Sequence, residues 1–456
     1  MMKKLLIIAA ALALLTPLAL LASGQSATGA TTGPYKMSVL YGGAPTEKEE
    51  TFRVLIEEYG KKNPDADIEI VTVAGNFWAQ VKVLAAADDL TDIMRLDDDW
   101  SGEHMVYGNV IDLTDRIKKE IKVEDIYLQA WLPFVYKGRI YGLPYDAAVD
   151  VIYYNKNHFK DAGLAEPPRD PKKWTNALFL ADAQKLTMDR NGDGKTDQWG
   201  FTYPAATTGY YQAQHWLWRE GTTLYDKDKT QVTMPNDPVA VAAMQFYTDL
   251  RNKYGVAPAM DISQQMGGSP MFNSGNVSML LNANWELPNL EKSRKNGVID
   301  YGAVYTPAGK VGTITRVTCD AWGITKMAHD VDKAWDFLKW MNSVEGQKIM
   351  AGQGTFTPPN KKVAQTEEYQ QNPNTYYDEA LFVEIVEKYS RMGEICLQGS
   401  EVSDVWGRAM EPLWYGKEDA LAAPKRYKEL LDPVLAKEAD KRPFAPWYYT
   451  KYSELF

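Results

Sequence analysis

The segment GRIYGLPYDAAVDVIYYNK, residues 138–156, decides how this 456-residue chain folds. Its first half predicts a hairpin, because apolar residues are framed by glycines. Val149–Tyr154 is mostly apolar and aromatic, which predicts a second, long strand. Pro144–Asp146 falls between these two strands. We expect the chain to cross there from one lobe of the protein to another.

The sequence before this segment alternates strands with helices. The three predicted strands and the two helices between them are, in chain order, Tyr35–Tyr41, Thr46–Lys62, Ile68–Val73, Phe77–Ala87 and Asp92–Leu96. This β-α-β-α-β order predicts a largely parallel sheet with helices on both faces. Sites in such sheets lie beyond the carboxyl ends of the strands, and Asp97, Asp98, Asp99 and Trp100 directly follow the third strand.

A later strand raises a question about one tryptophan. Val277–Leu281 predicts a short buried strand, and Asn284, Trp285 and Glu286 follow it. Trp285 either packs in the core, with its indole N–H bonded to a polar neighbour, or forms a stacking platform at the mouth of a cleft. Further helices complete a mixed α/β pattern; they are predicted around Trp174–Leu186, Pro238–Lys253, Val331–Asn342, Tyr377–Arg391 and Leu430–Ala439.

The N-terminus has the pattern of an export signal. Two lysines precede an apolar run from Leu5 to Ala22, so residues 1–24 are predicted to be a cleaved signal peptide and residues 25–34 a leader. The end of the run is similar to a bacterial lipoprotein box, but Ser23 stands where the acylated cysteine would be. We therefore expect an exported protein of the periplasm or cell surface without a lipid anchor, unless Ser23 replaces a natural cysteine.

Composition narrows the class of ligand. A formal charge of −10 argues against nucleic acid or an anionic membrane surface as the partner. Fourteen Trp and 27 Tyr residues supply rings whose faces suit sugar C–H groups and whose edges suit hydroxyls, although most of them must be structural. Cys319 and Cys396 either form a disulfide or stay free. The histidines have no metal-type spacing.

One segment, DRNGDGKTD at residues 189–197, has the spacing of a calcium loop. Oxygen ligands at alternate positions would converge on one hard cation, and Gly194 allows the sharp turn. Gly200 replaces the bidentate Glu expected at the twelfth position, so a ligand from elsewhere would be required. The alternative is a surface turn. The candidate ligands of a structural Ca²⁺ are Asp189, Asn191, Asp193, Lys195 and Asp197.

Five stretches of the chain resemble one known family, and they occur in the family's order. They are Asn109–Asp115, Tyr141–Asp146 with Val151–Lys156, Pro171–Trp174, Phe272–Met279 with Trp285, and Ala334–Gly346. The family is that of the extracellular solute-binding proteins of ABC transporters, specifically the maltose-binding-protein-like carbohydrate group, family 1. The resemblance spreads along most of the mature chain.

The resemblance implies a two-lobe α/β fold, the type II periplasmic-binding-protein fold, with the ligand between the lobes. By similarity, hinge crossovers fall near Asp146–Val149, Val317–Cys319 and Pro359–Gln365. A sugar that contacts both lobes would favour the closed state, because only that state makes all the contacts. The implied lobes are residues 35–146 with 319–362, and residues 147–318 with 363–456.

The resemblance also implies binding residues. Trp285 matches the family's stacking tryptophan, and Asp97–Asp99 match a loop whose carboxylates accept sugar hydroxyls, although three adjacent acids cannot all face one ligand. For Trp78, core packing is expected. Several further candidates would either contact the ligand or have a structural role, namely core packing, an ion pair or a hinge hydrogen bond. These are Trp100, Asp146, Tyr210, Tyr211, Trp216, Glu286, Asp320, Trp322 and Trp406.

Together these features predict a receptor, not an enzyme, that binds a carbohydrate, expected to be an oligosaccharide. As a monomer it would deliver this ligand to the permease of an ABC importer. Two alternatives stay open. A receptor of the same fold for a polyamine or an oligopeptide would also use aromatic rings and carboxylates. A secreted glycoside hydrolase would need two carboxylates facing across a cleft, which Asp97–Asp99 and Glu286 would supply.

Overall fold

The computed structural model describes residues 34–42, 46–203, 209–372, 376, 379–394, 396–438, 441 and 451–455. The predicted signal peptide and the leader as far as residue 33 lie outside the described residues. Within the described part of the chain, no helix has the length and apolar character that crossing a bilayer requires. Cys319 and Cys396 are both buried, and no disulfide joins these two residues.

An extended sheet forms the centre of the described chain. The strands are β1 Tyr35–Leu40, β2 Ala66–Val71, β3 Ile93–Asp97, β4 Val135–Tyr136, β5 Arg139–Ile140, β6 Leu143–Asn155, β7 Met279–Ala283, β8 Tyr301–Val304, β9 Thr315–Ile324 and β10 Ser390–Met392. Eight of them form one sheet in the order β2-β1-β3-β9-β6-β7, with β10 beside β9 and β8 beside β6. β4 and β5 form the predicted hairpin.

The first three strands confirm the predicted β-α-β-α-β order, and β1 pairs in parallel with both β2 and β3. Beyond them the expectation of a largely parallel sheet is wrong. β9 runs antiparallel to β3 and β6, and β6 runs antiparallel to β7 and β8. After β6 the chain continues within the sheet as β7 and β8. β9 then starts beside the middle of β6, where Val317 pairs with Val149, and runs back towards the start of β6, so these two strands are antiparallel.

β6 connects the two groups of strands. Its first part, Leu143–Val149, pairs with β9, and the remainder pairs with β7 and β8. All residues of β6 are buried. The predicted gap at Pro144–Asp146 is therefore wrong, because burial among neighbouring strands keeps these residues extended and leaves only a shift of register. The change of partner after Val149 adjoins the first predicted crossover, while the lobe boundaries themselves stay predictions.

Helices flank the strands along the chain. They are α1 Thr46–Lys62, α2 Phe77–Ala86, α3 Ser101–Val106, α4 Thr114–Glu120, α5 Leu128–Trp131, α6 Lys156–Asp161, α7 Asn176–Lys185, α8 Tyr210–Glu220, α9 Pro238–Asn252, α10 Met260–Met266, α11 Gly268–Asn273, α12 Leu287–Lys295, α13 Val331–Met341, α14 Val344–Gly352, α15 Lys361–Ala364, α16 Glu367–Gln370, α17 Ala380–Lys388, α18 Gly399–Trp414, α19 Ala422–Glu438 and α20 Tyr452–Leu455.

Most of the predicted helices exist, and the exceptions have physical reasons. α7, α9 and α13 agree with the sequence to within two residues. α17 is shorter than the predicted Tyr377–Arg391, whose first residue lies outside the described chain, because the segment after it pairs with β9 as β10. α18 has no counterpart in the prediction, since Gly407 and Pro412 lie inside it and lower its helix propensity.

α3 places a histidine in the core beside the loop that follows β3. His104 is buried, and its Nδ1 atom lies 3.2 Å from the side-chain amide nitrogen of Asn109. Burial lowers the pKa of His104 to about 4. The folded protein therefore keeps this imidazole neutral at pH values at which the unfolded chain is protonated.

We predict that lowering the pH from 7 to 5 costs the wild type about 2 kcal/mol more unfolding free energy than it costs a His104→Asn variant. Below pH 6.5 the unfolded state binds a proton that folded His104 takes up only near pH 4. Asn keeps an oxygen acceptor for Asn109. Urea unfolding at both pH values measures the difference, and an equal pH dependence of the two proteins would contradict a buried neutral imidazole.

Candidate functional site

A cavity of about 530 Å³ lies where the loop after β3, strand β9, the turn after β7 and helix α18 meet. Its wall carries six aromatic rings, seven charged side chains and four small residues. The rings belong to Trp78, Trp100, Tyr211, Trp285, Trp406 and Trp414, the charges to Lys48, Arg95, Asp97, Asp99, Asp146, Arg316 and Asp320, and the small residues are Gly209, Thr318, Ser403 and Gly407.

The wall brings together eight of the residues that the sequence singled out, although they come from distant parts of the chain. They are Asp97, Asp99, Trp100, Asp146, Tyr211, Trp285, Asp320 and Trp406. Five others lie outside the wall: Asp98, Tyr210, Trp216, Glu286 and Trp322.

Trp285 lies in the turn Asn284–Glu286 that follows β7, and it is partly exposed in the cavity wall. The Nζ atom of Lys48 is 5.9 Å from the centroid of the indole ring. The side-chain amide of Asn284 donates to Oγ1 of Thr357 at 2.8 Å. Asn284 thus bonds to the protein and helps to hold the turn. Trp285 itself remains partly exposed in the cavity wall.

Glu286 corrects the expectation of a ligand-binding carboxylate. It is buried, and its Oε1 and Oε2 atoms accept hydrogen bonds from the side-chain amides of Asn273 (2.7 Å) and Asn282 (2.8 Å). Both oxygens are engaged inside the protein, away from the cavity wall. Glu286 therefore supports the turn that carries Trp285.

Three aromatic candidates are likewise corrected, because they belong to the core. Trp216 on α8 is buried against Tyr247 of α9, with ring centroids 5.2 Å apart. Trp322 on β9 is buried and stacks on a tyrosine of β6 at 5.0 Å. Tyr210 is buried behind the wall, where its hydroxyl donates to Oδ1 of Asp99 at 3.0 Å. Their packing partners come from other elements, which local sequence does not reveal.

Arg316 on β9 pairs with two neighbouring carboxylates. Its Nη2 atom lies 2.6 Å from Oδ2 of Asp98 and 2.8 Å from Oδ2 of Asp99. The same guanidinium lies 4.9 Å from the ring centroid of Tyr211, within cation–π range. Asp98 is buried behind the wall, so among the three adjacent acids only Asp97 and Asp99 face the cavity. Asp98 is thus corrected from a ligand contact to a partner of Arg316.

A second group of ion pairs forms a chain of five side chains. Nη2 of Arg95 lies 3.0 Å from Oδ2 of Asp97 and 2.8 Å from Oδ1 of Asp320. Nζ of Lys48 lies 3.7 Å from Oδ2 of Asp320 and 2.6 Å from Oδ2 of Asp146. Asp146 therefore lines the cavity and also holds Lys48, which joins α1 to β6.

Burial makes these carboxylates depend on their cations. It raises the pKa of Asp97 to about 6 and also raises the pKa values of Asp98 and Asp146. The neighbouring Lys and Arg side chains oppose these shifts, because a nearby positive charge favours the ionised carboxylate. Removing a cation would leave a buried negative charge without compensation.

Sequence reasoning missed the cations of the wall. Arg95 lies between apolar residues of β3 and Arg316 lies in buried β9. A charged residue in such a strand signals a buried partner. Lys48 could not be recognised in this way, because it lies in a charged stretch at the start of helix α1. Trp78 was expected in the core, but it lines the cavity, parallel to Trp100 with ring centroids 5.9 Å apart. The other missed wall residues are Gly209, Thr318, Ser403, Gly407 and Trp414.

Chemically, the wall can stack on a ligand and exchange hydrogen bonds with it. Within the described residues, every charged side chain of the wall has a counter-charge inside the protein. The Nε–H groups of Arg95 and Arg316 have no acceptor there. A charged ligand would compete with the existing pairs, whereas hydroxyl groups can bond to the remaining lone pairs and N–H groups.

The predicted calcium loop is an exposed turn. Asp189 accepts backbone N–H bonds from Gly192 and Gly194, both at 2.7 Å, and Asp193 accepts one from Lys195 at 2.8 Å. Across the described chain, the acids whose oxygens gather within 4.8 Å are Asp97–Asp99 rather than those of the loop. Calcium binding by the loop stays a prediction.

Known proteins resemble this chain over nearly its whole length. The sequence profile of bacterial extracellular solute-binding proteins matches residues 54–376. A binding protein of Brucella abortus is 24% identical over 429 residues, which cover 93% of this chain and 98% of that protein. The maltooligosaccharide ABC transporter solute-binding lipoprotein of Streptococcus pneumoniae is 21% identical over 411 residues, 87% of this chain and 88% of its own.

The fold has a similarly extensive match. The ABC substrate-binding protein of Listeria monocytogenes, solved in complex with cycloalternan, superposes with a TM-score of 0.76 at 21% identity. The match covers 88% of this chain and 98% of that one. It confirms the two-lobe α/β fold that the sequence predicted.

We predict that Arg316→Met lowers the unfolding free energy by about 3–5 kcal/mol, because it leaves Asp98 and Asp99 buried without a cation. Adding Asp98→Asn should restore part of the loss, since it removes one of the uncompensated charges. Urea unfolding of the single and double variants measures both effects. Arg53→Met, which removes an exposed pair with Glu49, is the control and should cost less than about 1 kcal/mol. Equal costs for the two Arg variants would contradict a buried network.

Proposed function

Since this chain belongs to the family of bacterial extracellular solute-binding proteins, we propose that it is a carbohydrate receptor of an ABC importer. It binds an oligosaccharide in the cavity and performs no chemistry on it. The observation that carries this proposal is the wall itself, in which indole and phenol rings alternate with ion-paired carboxylates and guanidinium groups.

A neutral sugar suits such a wall for two reasons. Its C–H faces pack on aromatic rings, and its hydroxyls both donate to carboxylates and accept from N–H groups. Because the charges are already paired within the protein, a neutral ligand leaves the electrostatic balance of the wall intact. The names of two relatives support a sugar: the pneumococcal protein is a maltooligosaccharide-binding lipoprotein, and the Listeria protein was solved with cycloalternan.

Binding and lobe closure would be coupled. In the proposed division of the chain, Arg95 and Asp97 belong to lobe 1, whereas Tyr211, Trp285 and Trp406 belong to lobe 2. All five line the same cavity. A ligand that contacts both sets gains contacts only when the lobes approach, so it shifts the protein towards the closed form, which the permease would recognise.

The alternatives fit the wall less well. A polyamine would need carboxylates available for its ammonium groups, but those of the wall are paired with Lys48, Arg95 and Arg316. A glycoside hydrolase would need an acid across the cleft from Asp97–Asp99, and Glu286, the partner considered for it, is buried outside the wall with both oxygens engaged.

Export is part of the proposal. We propose that residues 1–24 are a signal peptide, that the mature protein works outside the cytoplasm as a monomer, and that Ser23 rules out thioether lipidation of this sequence. These residues lie outside the described part of the chain.

We predict that one member of an oligosaccharide panel raises the melting temperature. At about 100 times its Kd such a ligand adds about 2.7 kcal/mol of stability. Trp285→Ala should weaken binding of that sugar at least about tenfold, because it removes a stacking ring. Trp340→Ala is the matched control, since Trp340 is also partly exposed but lies outside the wall, beside Tyr59. Its affinity should equal that of the wild type.

Thermal shift and calorimetry measure these effects, with spermidine included in the panel. If spermidine raises the melting temperature and no sugar does, the carbohydrate assignment is wrong. Chromatography of the sugar after incubation with the protein shows whether the sugar stays intact. Hydrolysed sugar would show that the protein is an enzyme.

We also propose that residues 189–197 bind Ca²⁺. The alternation of oxygen-bearing residues along the sequence supports this. The backbone N–H groups of Gly194 and Gly192 lower the pKa of Asp189, which keeps that ligand charged. Calcium should raise the melting temperature of EDTA-treated wild type and leave that of Asp193→Ala unchanged. If calcium shifts neither protein, the loop is a surface turn.

A further inference from the structure

Helix α18 forms one side of the cavity and has a glycine in its interior. Ser403 and Gly407 both line the cavity and lie four residues apart, on one face of the helix. Trp406 and Trp414 of the same helix also line it. α18 therefore presents a hydroxyl group, a stretch of bare backbone and two indoles to one cavity.

No contact within the described protein requires a glycine at position 407. A Cβ atom built on Gly407 would meet no heavy atom within 4 Å, and its backbone is helical rather than left-handed. The other glycine of the wall differs, because a Cβ on Gly209 would come within 2.2 Å of the ring of Tyr211. Glycine destabilises a helix interior relative to alanine. Gly407 thus carries a cost that no described contact explains.

A helix glycine of this kind is not evidence of a ligand by itself. Gly60 in α1 also has open space around its Cβ position, and it lies outside the cavity wall. Gly407 is exposed, and it differs from Gly60 in that it lines the cavity. The position, not the residue type alone, points to a ligand.

A second observation on the same helix points the same way. Within the described chain the buried indole N–H of Trp414 has no hydrogen-bond acceptor. The same holds for the core residues Trp216 and Trp322, but of these three only Trp414 lines the cavity. A buried donor without an acceptor is unfavourable, and a ligand hydroxyl oxygen would satisfy it.

We propose that Gly407 is a specificity-determining residue, whose missing side chain lets one unit of the bound oligosaccharide lie directly against the backbone of α18. Ser403, one turn before Gly407, and the adjacent Trp406 flank this place and contact that unit, whereas Trp414 lies about 10 Å further along the helix axis and contacts the next unit. The inference rests on the proposed function, because it takes the ligand to be an oligosaccharide.

Calorimetry of the wild type, Gly407→Ala, Gly407→Leu and Gly60→Ala tests this role. The probes are maltose, maltotriose, mannobiose and mannotriose. Gly407→Leu should weaken binding of the preferred sugar at least about tenfold, and Gly407→Ala should weaken it less, because each added group occupies space that the sugar needs. Gly60→Ala should bind as the wild type does. Both alanine variants should raise the melting temperature of the unliganded protein, since alanine favours the helix.

The ratio of disaccharide to trisaccharide affinity separates specificity from general damage. Bulk at one point of the cavity excludes the unit that lies there, so this ratio should change in the Gly407 variants, whereas a loosened fold would weaken all sugars alike. Unchanged affinities in Gly407→Ala and Gly407→Leu would overturn the inference while leaving the proposed function intact. Should Gly407→Leu not fold, Gly407→Ala decides alone. If the wild type binds none of the four sugars, both the proposed function and this inference fail.

Discussion

A buried set of ion pairs, in which three cations hold five aspartates, is the constraint on which the rest of the site depends. Arg316 holds Asp98 and Asp99, while Arg95 and Lys48 hold the other three carboxylates. These groups lie on α1, on β3 and the loop after it, and on β6 and β9. The network thereby joins elements distant in sequence at the point where the strands meet. Because each carboxylate is costly to bury alone, the elements must meet in this arrangement for the charges to be compensated.

The same network fixes what the cavity can bind. Its charges are balanced within the protein, and the surface left between them consists of six aromatic rings and a few small polar groups. Such a surface attracts apolar faces edged with hydroxyls more than it attracts ions. The turn that carries Trp285 shows how the fold serves this surface. Asn282 donates to Glu286 and Asn284 donates to Thr357, and these hydrogen bonds hold the turn from which Trp285 reaches the cavity wall.

Local sequence predicted much of the fold, and together with the family resemblance it singled out eight of the 17 residues of the wall. Periodicity located β1, β2 and α1 closely, and a short apolar run located β3, which is buried at four of its five residues. It failed at β6, where burial of every residue overrides the turn-like signal of Pro144–Asp146. It also failed at α18, whose glycine and proline conceal a helix stabilised by packing.

Local sequence is equally insufficient to predict which residues line the site. Trp285 and Trp322 both occur in or after a strand among polar residues, yet one lines the cavity and the other stacks in the core. The difference depends on what β6 and α1 place beside each ring, which no local pattern contains. The cations were missed for a related reason. A charge in a buried strand indicates that a partner exists, but only the folded chain identifies Asp320 or Asp98 as that partner.

We propose that the cavity binds a neutral polyhydroxylated ligand within a wall whose charges are already compensated. Calorimetric titration of the wild type with the oligosaccharide that stabilises it, at about 20 mM and again at about 300 mM NaCl, tests this most directly. The Kd should be the same at both salt concentrations, because no net charge is neutralised on binding. A Kd that rises steeply with salt would contradict it and would show that the cavity recognises its ligand by charge.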